Sequence, residues 1–290
     1  MRNRTRWGAA SIALLLVFLF HDPRCATLFG KDPKLTPEEV VSKHLESLGK
    51  PEAVQKVRSR VINGTATATI QVGGAGMISG KASILSSGSQ TRIGMAFPMR
   101  DYPGEQFAFD GNRVTAGTIQ PGVRSALTSF VYQNDALLKE GIVGGVLATA
   151  WPLLALPVRQ PRLSYGGLQK VEGKACHTLR YKPRKGGMDV EVVLYFEPET
   201  FRHVRTESRL TVGAQMASNI NESARQQERR FKLVEEYSDF REEDGLMLPH
   251  TYRLQFTGDT QERTLLSTWV LTLDQFVHNQ DIQPSYFNLQ

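Results

Sequence analysis

Hydrophobic and polar residues alternate along most of this chain, which is the pattern of β-strands that bury one face. In residues 62–72, Ile62, Ala66 and Ala68 fall on one face, and threonines fall on the other. The same period of two returns near the end of the chain, around Tyr252 and Trp269. About eleven such stretches at hairpin spacing predict one strongly curved antiparallel sheet or partial barrel. The chain is therefore expected to be mainly β, within the α+β class.

Helical signals occur at two places in the chain. Thr36 is followed by a proline and, at the third helical position, by Glu39, which predicts a capping box and a helix that ends at Gly49. A short helix is expected from Ser125 to Tyr132. The two helical regions are predicted to lie on the apolar face of the sheet, because such a face needs a cover.

The most distinctive stretch of the chain is apolar and runs through residues 134–158. No charged residue occurs between Gly141 and Val158, and Pro152 and Pro157 interrupt the stretch. Because proline disrupts a helix interior, the pattern predicts a helix from about Asp135 to Ala150, followed by a bent apolar segment. Residues 123–158 are thus expected to form a helical lid over the concave face of the sheet.

The N-terminus has the pattern of an export signal at residues 1–26, with an uncleaved anchor as the alternative. Three arginines precede an apolar run that ends at Phe20 and is too short to span a membrane comfortably. Removing this segment lowers the formal net charge from +6 to +3 and leaves Cys176 as the only cysteine. We therefore expect no nucleic-acid partner, no internal disulfide and no membrane span in the mature chain. Residues 27–290 show no linker and are predicted to form a single domain.

No known catalytic or cofactor motif is present in the sequence. The glycine-rich run at residues 74–81 lacks the required glycines of a nucleotide-binding loop and is interpreted as a hairpin. His177, His203 and His250 are scattered over three predicted strands without metal-ligand spacing. The basic turn that begins at Lys182 is interpreted as a solvated loop, with an acidic partner or anionic headgroups as the alternative. No enzyme activity, cofactor or metal is predicted.

The remaining candidates for a site are apolar. A curved sheet of this size encloses more space than its own side chains fill comfortably, so a lid over an apolar cavity is one interpretation and an ordinary core is the other. The candidate ligand-binding residues are Phe107, Phe109, Leu147, Trp151, Leu153, Leu154, Leu194, Phe196, Phe256 and Trp269.

Residues 231–256 contain a strand, a short acidic turn and the sequence Asp244-Gly245-Leu246-Met247-Leu248-Pro249. This stretch resembles the "D-G-x-x-[LF]-P" hairpin of LolA-like periplasmic lipoprotein carriers, and the ending at 282–287 resembles their terminal strand. The resemblance implies an unclosed barrel with helices plugging its opening and non-catalytic binding of acyl chains. No arginine of this sequence is a clear counterpart of the lid-contacting arginine of those carriers.

Two functions from different classes follow from these patterns. The first is an exported periplasmic or secreted carrier or sensor of lipid or lipoprotein acyl chains. The second is an interaction module of the cell envelope, in which residues 141–156 contact a protein or a membrane surface. The two differ in whether the apolar middle of the chain encloses a ligand or forms an exposed contact.

Overall fold

Twelve antiparallel strands form one continuous sheet in the computed structural model, which describes residues 35–71, 75–184, 188–213, 229–259 and 264–289. The expected export signal lies outside these residues. The strands are β1 (Ser59–Gln71), β2 (Ala75–Ser87), β3 (Gln90–Ala96), β4 (Gly104–Phe109), β5 (Val114–Ala116), β6 (Arg162–Val171), β7 (Lys174–Lys182), β8 (Glu191–Phe196), β9 (His203–Val212), β10 (Arg229–Glu243), β11 (Leu246–Asp259) and β12 (Thr264–His278).

The order of the strands shows that the sheet is not closed. It runs β5-β4-β3-β2-β1-β12-β11-β10-β9-β8-β7-β6, so the first and last strands along the chain, β1 and β12, pair at its centre. Strands β5 and β6 form the two ends, and within the described ranges each pairs with a single neighbour. This confirms the predicted mainly β, unclosed sheet, with twelve strands in the described residues where about eleven were expected.

Two of the predicted hairpin turns are confirmed. Asp110-Gly111 lies between the paired strands β4 and β5. Asp244 and Gly245 connect β10 to β11, with φ values of 52° and 80°. Two successive residues in the left-handed region are what a two-residue hairpin turn of the primed type requires.

Five short α-helices lie outside the sheet in the described residues. They are α1 (Pro37–Leu48), α2 (Pro51–Lys56), α3 (Ala126–Gln133), α4 (Ala136–Lys139) and α5 (Leu156–Arg159). The predicted capping box of α1 is present, because the hydroxyl of Thr36 accepts from the N–H of Glu39 at 3.2 Å and the Glu39 carboxylate accepts from the N–H of Thr36 at 2.7 Å. Helix α3 begins after Ser125, which caps the N–H of Thr128, as its sequence predicts.

The helix predicted from Asp135 to Ala150 is wrong in its extent. Helix α4 ends at Lys139, and the chain continues through 3-10 turns at Gly145–Leu147 and Pro152–Ala155. Gly141, Gly144 and Gly145 have φ values of 73°, 88° and 49°, a left-handed conformation that a right-handed helix cannot contain. These glycines therefore end the expected helix early. The stretch from α3 to α5, residues 126–159, is here called the central segment.

The expected terminal strand at 282–287 is also corrected. Pro284–Phe287 forms a 3-10 turn, in keeping with a proline that has no N–H for a strand ladder. Phe287 is fully buried, and the N–H of Leu289 donates to the hydroxyl of Thr115 at 3.0 Å. The chain end is therefore fastened near β5 by one aromatic side chain and one hydrogen bond.

The hydrophobic core lies between one face of the sheet and the central segment. Inward residues of the strands, such as Ile62, Ile84 and Leu254, are fully buried, and so are Ile142 and Val143 of the central segment. They belong to one continuous cluster of buried side chains. The central segment therefore covers this face of the sheet.

Candidate functional site

All ten predicted ligand-binding residues lie in or against this core. Nine of them have no more than 6% of their surface exposed, and Leu154 is partly buried. Six come from the sheet and four from the central segment. The structure thus places them on the predicted surfaces, where they contact protein side chains, and their role in ligand binding stays a prediction.

Trp151 fastens the central segment to helix α1. Its indole Nε1 donates to Nε2 of His44 at 3.1 Å, and its ring stacks on His203 with centroids 4.5 Å apart. His44 therefore carries its proton on Nδ1 and donates it to the carbonyl of Phe201 at 3.1 Å. Burial lowers the pKa of His44 to about 4, so the imidazole is neutral and can accept the indole N–H. Burial also holds the pKa of His203 well below its usual range.

A buried glutamate of β10 forms a second attachment. The Oε1 atom of Glu235 accepts from the N–H of Gly144 at 2.8 Å and from the hydroxyls of Tyr252 at 2.5 Å and Tyr237 at 3.2 Å. Its Oε2 atom is buried without a hydrogen-bond partner in the described structure. Burial raises the pKa of Glu235 to about 7, against the opposing effect of these hydrogen bonds. The main chain of the central segment is thus hydrogen-bonded to a carboxyl group whose pKa is raised.

Arg60 of β1 contacts the central segment at a third position. Its Nη1 donates to the carbonyls of Val146 at 2.8 Å and Leu147 at 3.0 Å, and its Nε donates to His278. Only 5% of Arg60 is exposed, and burial lowers its pKa to about 10. Arg60 thus holds the central segment to the sheet, a contact that sequence reasoning missed. The available signal was its position two residues before Ile62, on the apolar face of its strand.

Helix α3 is attached through a buried carboxylate of β4. Glu105 accepts from the hydroxyls of Ser125, Thr128 and Tyr102. Burial raises the pKa of Glu105, and the three hydroxyls oppose that rise. The hydroxyl of Tyr102 in turn accepts the indole N–H of Trp269 at 2.8 Å. Trp269, a predicted site residue, is therefore connected to helix α3 through the hydrogen bonds of Tyr102 and Glu105.

An apolar groove opens beside helix α3. It has a volume of about 330 Å³, and its walls come from α3 and from strands β9 to β12. Phe130 and Phe256 lie 5.3 Å apart between ring centroids, and Phe231 stacks on Phe256 at 6.3 Å. Leu210, Val212 and Leu265 complete the apolar lining. Phe256 is thus a predicted residue that also borders open space.

The three histidines that the sequence placed on separate strands have separate partners. Nδ1 of His177 lies 2.8 Å from the hydroxyl of Tyr165, and Nε2 of His250 lies 2.9 Å from Glu243. Within the described ranges, no group of three histidine, cysteine or acidic side chains is arranged to hold a metal ion. None of the helices described here is long and apolar enough to cross a membrane.

Comparison with known proteins gives similar folds at low identity. No protein-family model and no curated protein matches the sequence. A LolA superfamily protein from Nitrosomonas europaea matches at 13% identity and a TM-score of 0.47, over 88% of this chain and 98% of that chain. An outer membrane lipoprotein-sorting protein domain from Vibrio parahaemolyticus matches at 10% identity and a TM-score of 0.43, over 87% and 97%. Both names agree with the family that residues 231–256 resemble.

Proposed function

We propose that this protein is an exported, non-catalytic carrier or sensor that binds acyl chains of lipid or lipoprotein on the concave face of its sheet. The observation that supports this most directly is the apolar groove beside helix α3. Its volume of about 330 Å³ falls within the range of small-molecule sites, which are mostly apolar and concave. The groove borders Phe256 and Phe130, so an acyl chain that enters it contacts both the sheet and the central segment.

The attachment of the central segment supports a lid role for it. Residues 142–153 belong to no strand of the sheet and are held to it by side chains of Glu235, Arg60 and Ser86 and to α1 by His44. Moving the segment aside would break these hydrogen bonds and expose its buried apolar side chains, but it would leave the strand ladder intact. If the segment moves aside, the apolar wall that contains Leu194, Phe196 and Trp269 becomes available to a ligand. In this proposal the protein acts in the periplasm.

The interaction-module alternative assigned residues 141–156 to an exposed contact. In this structure Ile142, Val146 and Trp151 are at most 3% exposed, so the middle of that segment faces the core. This burial argues against an exposed contact through the middle of residues 141–156.

The proposal is tested by titrating a fluorescent fatty-acyl probe into residues 27–290 purified without detergent. Leu265→Glu places a charge in the groove and should weaken binding about tenfold or more. The matched control is Leu168→Glu, because Leu168 is 58% exposed on β6 and does not line the groove. Equal binding by both variants, or no binding by the unmodified protein, would contradict the proposal.

A further inference from the structure

The edge of the sheet formed by β6 is long and carries unpaired main-chain groups. Strand β6 spans ten residues, whereas β5 at the other end spans three. Among the strands of the described residues it pairs with β7 alone, and its register shifts between Tyr165 and Gly167. In the described part of the chain, no other main-chain group bonds to the main chain of Arg162–Val171, although the hydroxyl of Thr178 donates to the carbonyl of Gly167 at 2.9 Å. An edge of this kind can accept one more strand.

The β6–β7 hairpin is strongly cationic. Residues 162–184 contain six lysines and arginines and one glutamate, a net charge of +5, whereas the rest of residues 35–290 carries −3. Glu172, which this net charge already includes, lies 3.6 Å from Arg205 of β9. Positive charge is therefore concentrated on the one long free edge.

Two of these cations directly oppose each other. Arg162 of β6 pairs in register with Lys182 of β7, both side chains are exposed, and no ion pair in the described structure involves either one. A third cation, Arg180 of β7, lies opposite the uncharged Ser164 of β6. Its one ion pair in the described structure is an exposed one with Glu191, at 3.7 Å. Like charges directly opposite on neighbouring strands destabilise a sheet. An anionic partner at this end of the hairpin would remove that repulsion.

From the free edge and its charge, we infer that β6 is a docking site for an extended acidic polypeptide segment, which adds to the sheet as a further strand. Acidic side chains on the added segment contact Arg162, Lys182 and Arg180, and its main chain bonds to the free edge. A second copy of this chain does not fit, because two β6 edges would bring two cationic hairpins together. A peptide is favoured over a membrane surface because the free groups are those of the backbone. Exposed Leu168, at 58%, offers an apolar contact to one side chain of the segment.

The test uses residues 27–290 and a labelled, end-blocked decapeptide in which glutamate alternates with threonine. A lysine–threonine decapeptide is the matched probe. We expect the acidic peptide alone to bind, less tightly as salt is raised, and the amides of Arg162–Val171 to become protected from hydrogen exchange. The double variant Arg162→Glu with Lys182→Glu should weaken binding about tenfold or more. Its control, Lys81→Glu with Arg113→Glu, alters exposed cations on β2 and on the β4–β5 turn and should leave binding unchanged.

Several results would overturn the inference. They are no binding of the acidic peptide, equal binding of both peptides, equal effects of the two double variants, or binding without protection of β6. Vesicles of phosphatidylcholine with phosphatidylglycerol form a separate arm. Binding to these vesicles without binding of the acidic peptide would assign the cationic hairpin to a membrane surface instead.

Discussion

Trp151 donates its indole N–H to His44, and this hydrogen bond joins the central segment to the first helix. Both side chains are fully buried, so neither can turn to water if the other is lost. The pair combines a predicted site residue with a buried histidine of α1. The stability of this contact therefore reports how firmly the central segment is attached.

The first prediction concerns this hydrogen bond. Trp151→Phe keeps an aromatic ring but leaves Nε2 of His44 buried without a donor, which should lower the free energy of unfolding by about 1–3 kcal/mol. Urea unfolding of Trp151→Phe, His44→Leu and the double variant measures the coupling. We expect the double variant to lose less than the sum of the two single losses. Strict additivity would show that the bond contributes nothing.

The second prediction concerns Arg60. Arg60→Met removes the donors to the carbonyls of Val146 and Leu147, so the unfolding free energy should fall by about 2–4 kcal/mol. Arg92→Met is the matched control, because Arg92 also donates to a main-chain carbonyl, that of Tyr286 at 3.1 Å, but at an exposed position. The control should lose less than about 1 kcal/mol. Equal losses in a denaturant titration would contradict the assigned role of Arg60.

The third prediction concerns the pH dependence that Glu235 produces. Its native pKa of about 7 lies above the ordinary value of 4.5, so its contribution to stability is complete below pH 4.5 and is lost as the pH rises through 7. The lowered pKa of His44 acts in the opposite sense, because its contribution is complete above pH 6.5 and is lost as the pH falls through about 4. His203 acts in the same sense as His44.

Glu235→Gln isolates the glutamate from these histidines. The stability of the variant relative to the unmodified protein should rise by about 3 kcal/mol between pH 4.5 and pH 7 and stay level outside that window. The measurement is chemical unfolding of both proteins from pH 4 to pH 8. A difference that does not change with pH would show that Glu235 does not titrate in this range.

The fourth prediction concerns the tight path of the central segment. A Cβ atom at Gly141 would lie 2.0 Å from the carbonyl oxygen of Ala150, whereas a Cβ at Gly122 would meet nothing within 4 Å. Both glycines have φ near 74°, at 73° and 75°, so alanine is equally strained at either position. Gly141→Ala should therefore lose about 1–3 kcal/mol more than Gly122→Ala. Equal melting temperatures for the two variants would contradict the close packing.

Sequence reasoning succeeded where one local rule controls the structure. The alternation of side chains fixed the strand faces, and the capping residues Thr36 and Ser125 and the Asp244-Gly245 turn are local signals with a single structural outcome. It failed between Gly141 and Ala150, because a run of good apolar residues outweighed the glycines that adopt a left-handed backbone. The contacts of Arg60 and Glu235 were missed because they depend on which loop lies over the sheet. The spacing of residues in the sequence does not indicate which loop that is.

Native mass spectrometry would show directly whether the concave face of the sheet binds acyl chains. Residues 27–290 would be purified from a periplasmic fraction without detergent and measured before and after solvent extraction. We expect bound species of lipid mass that disappear on extraction. Leu265→Glu should reduce their amount, and Leu168→Glu should not. A ligand-free protein that also fails to take up added fatty-acyl probes would contradict acyl-chain binding and would favour the interaction module.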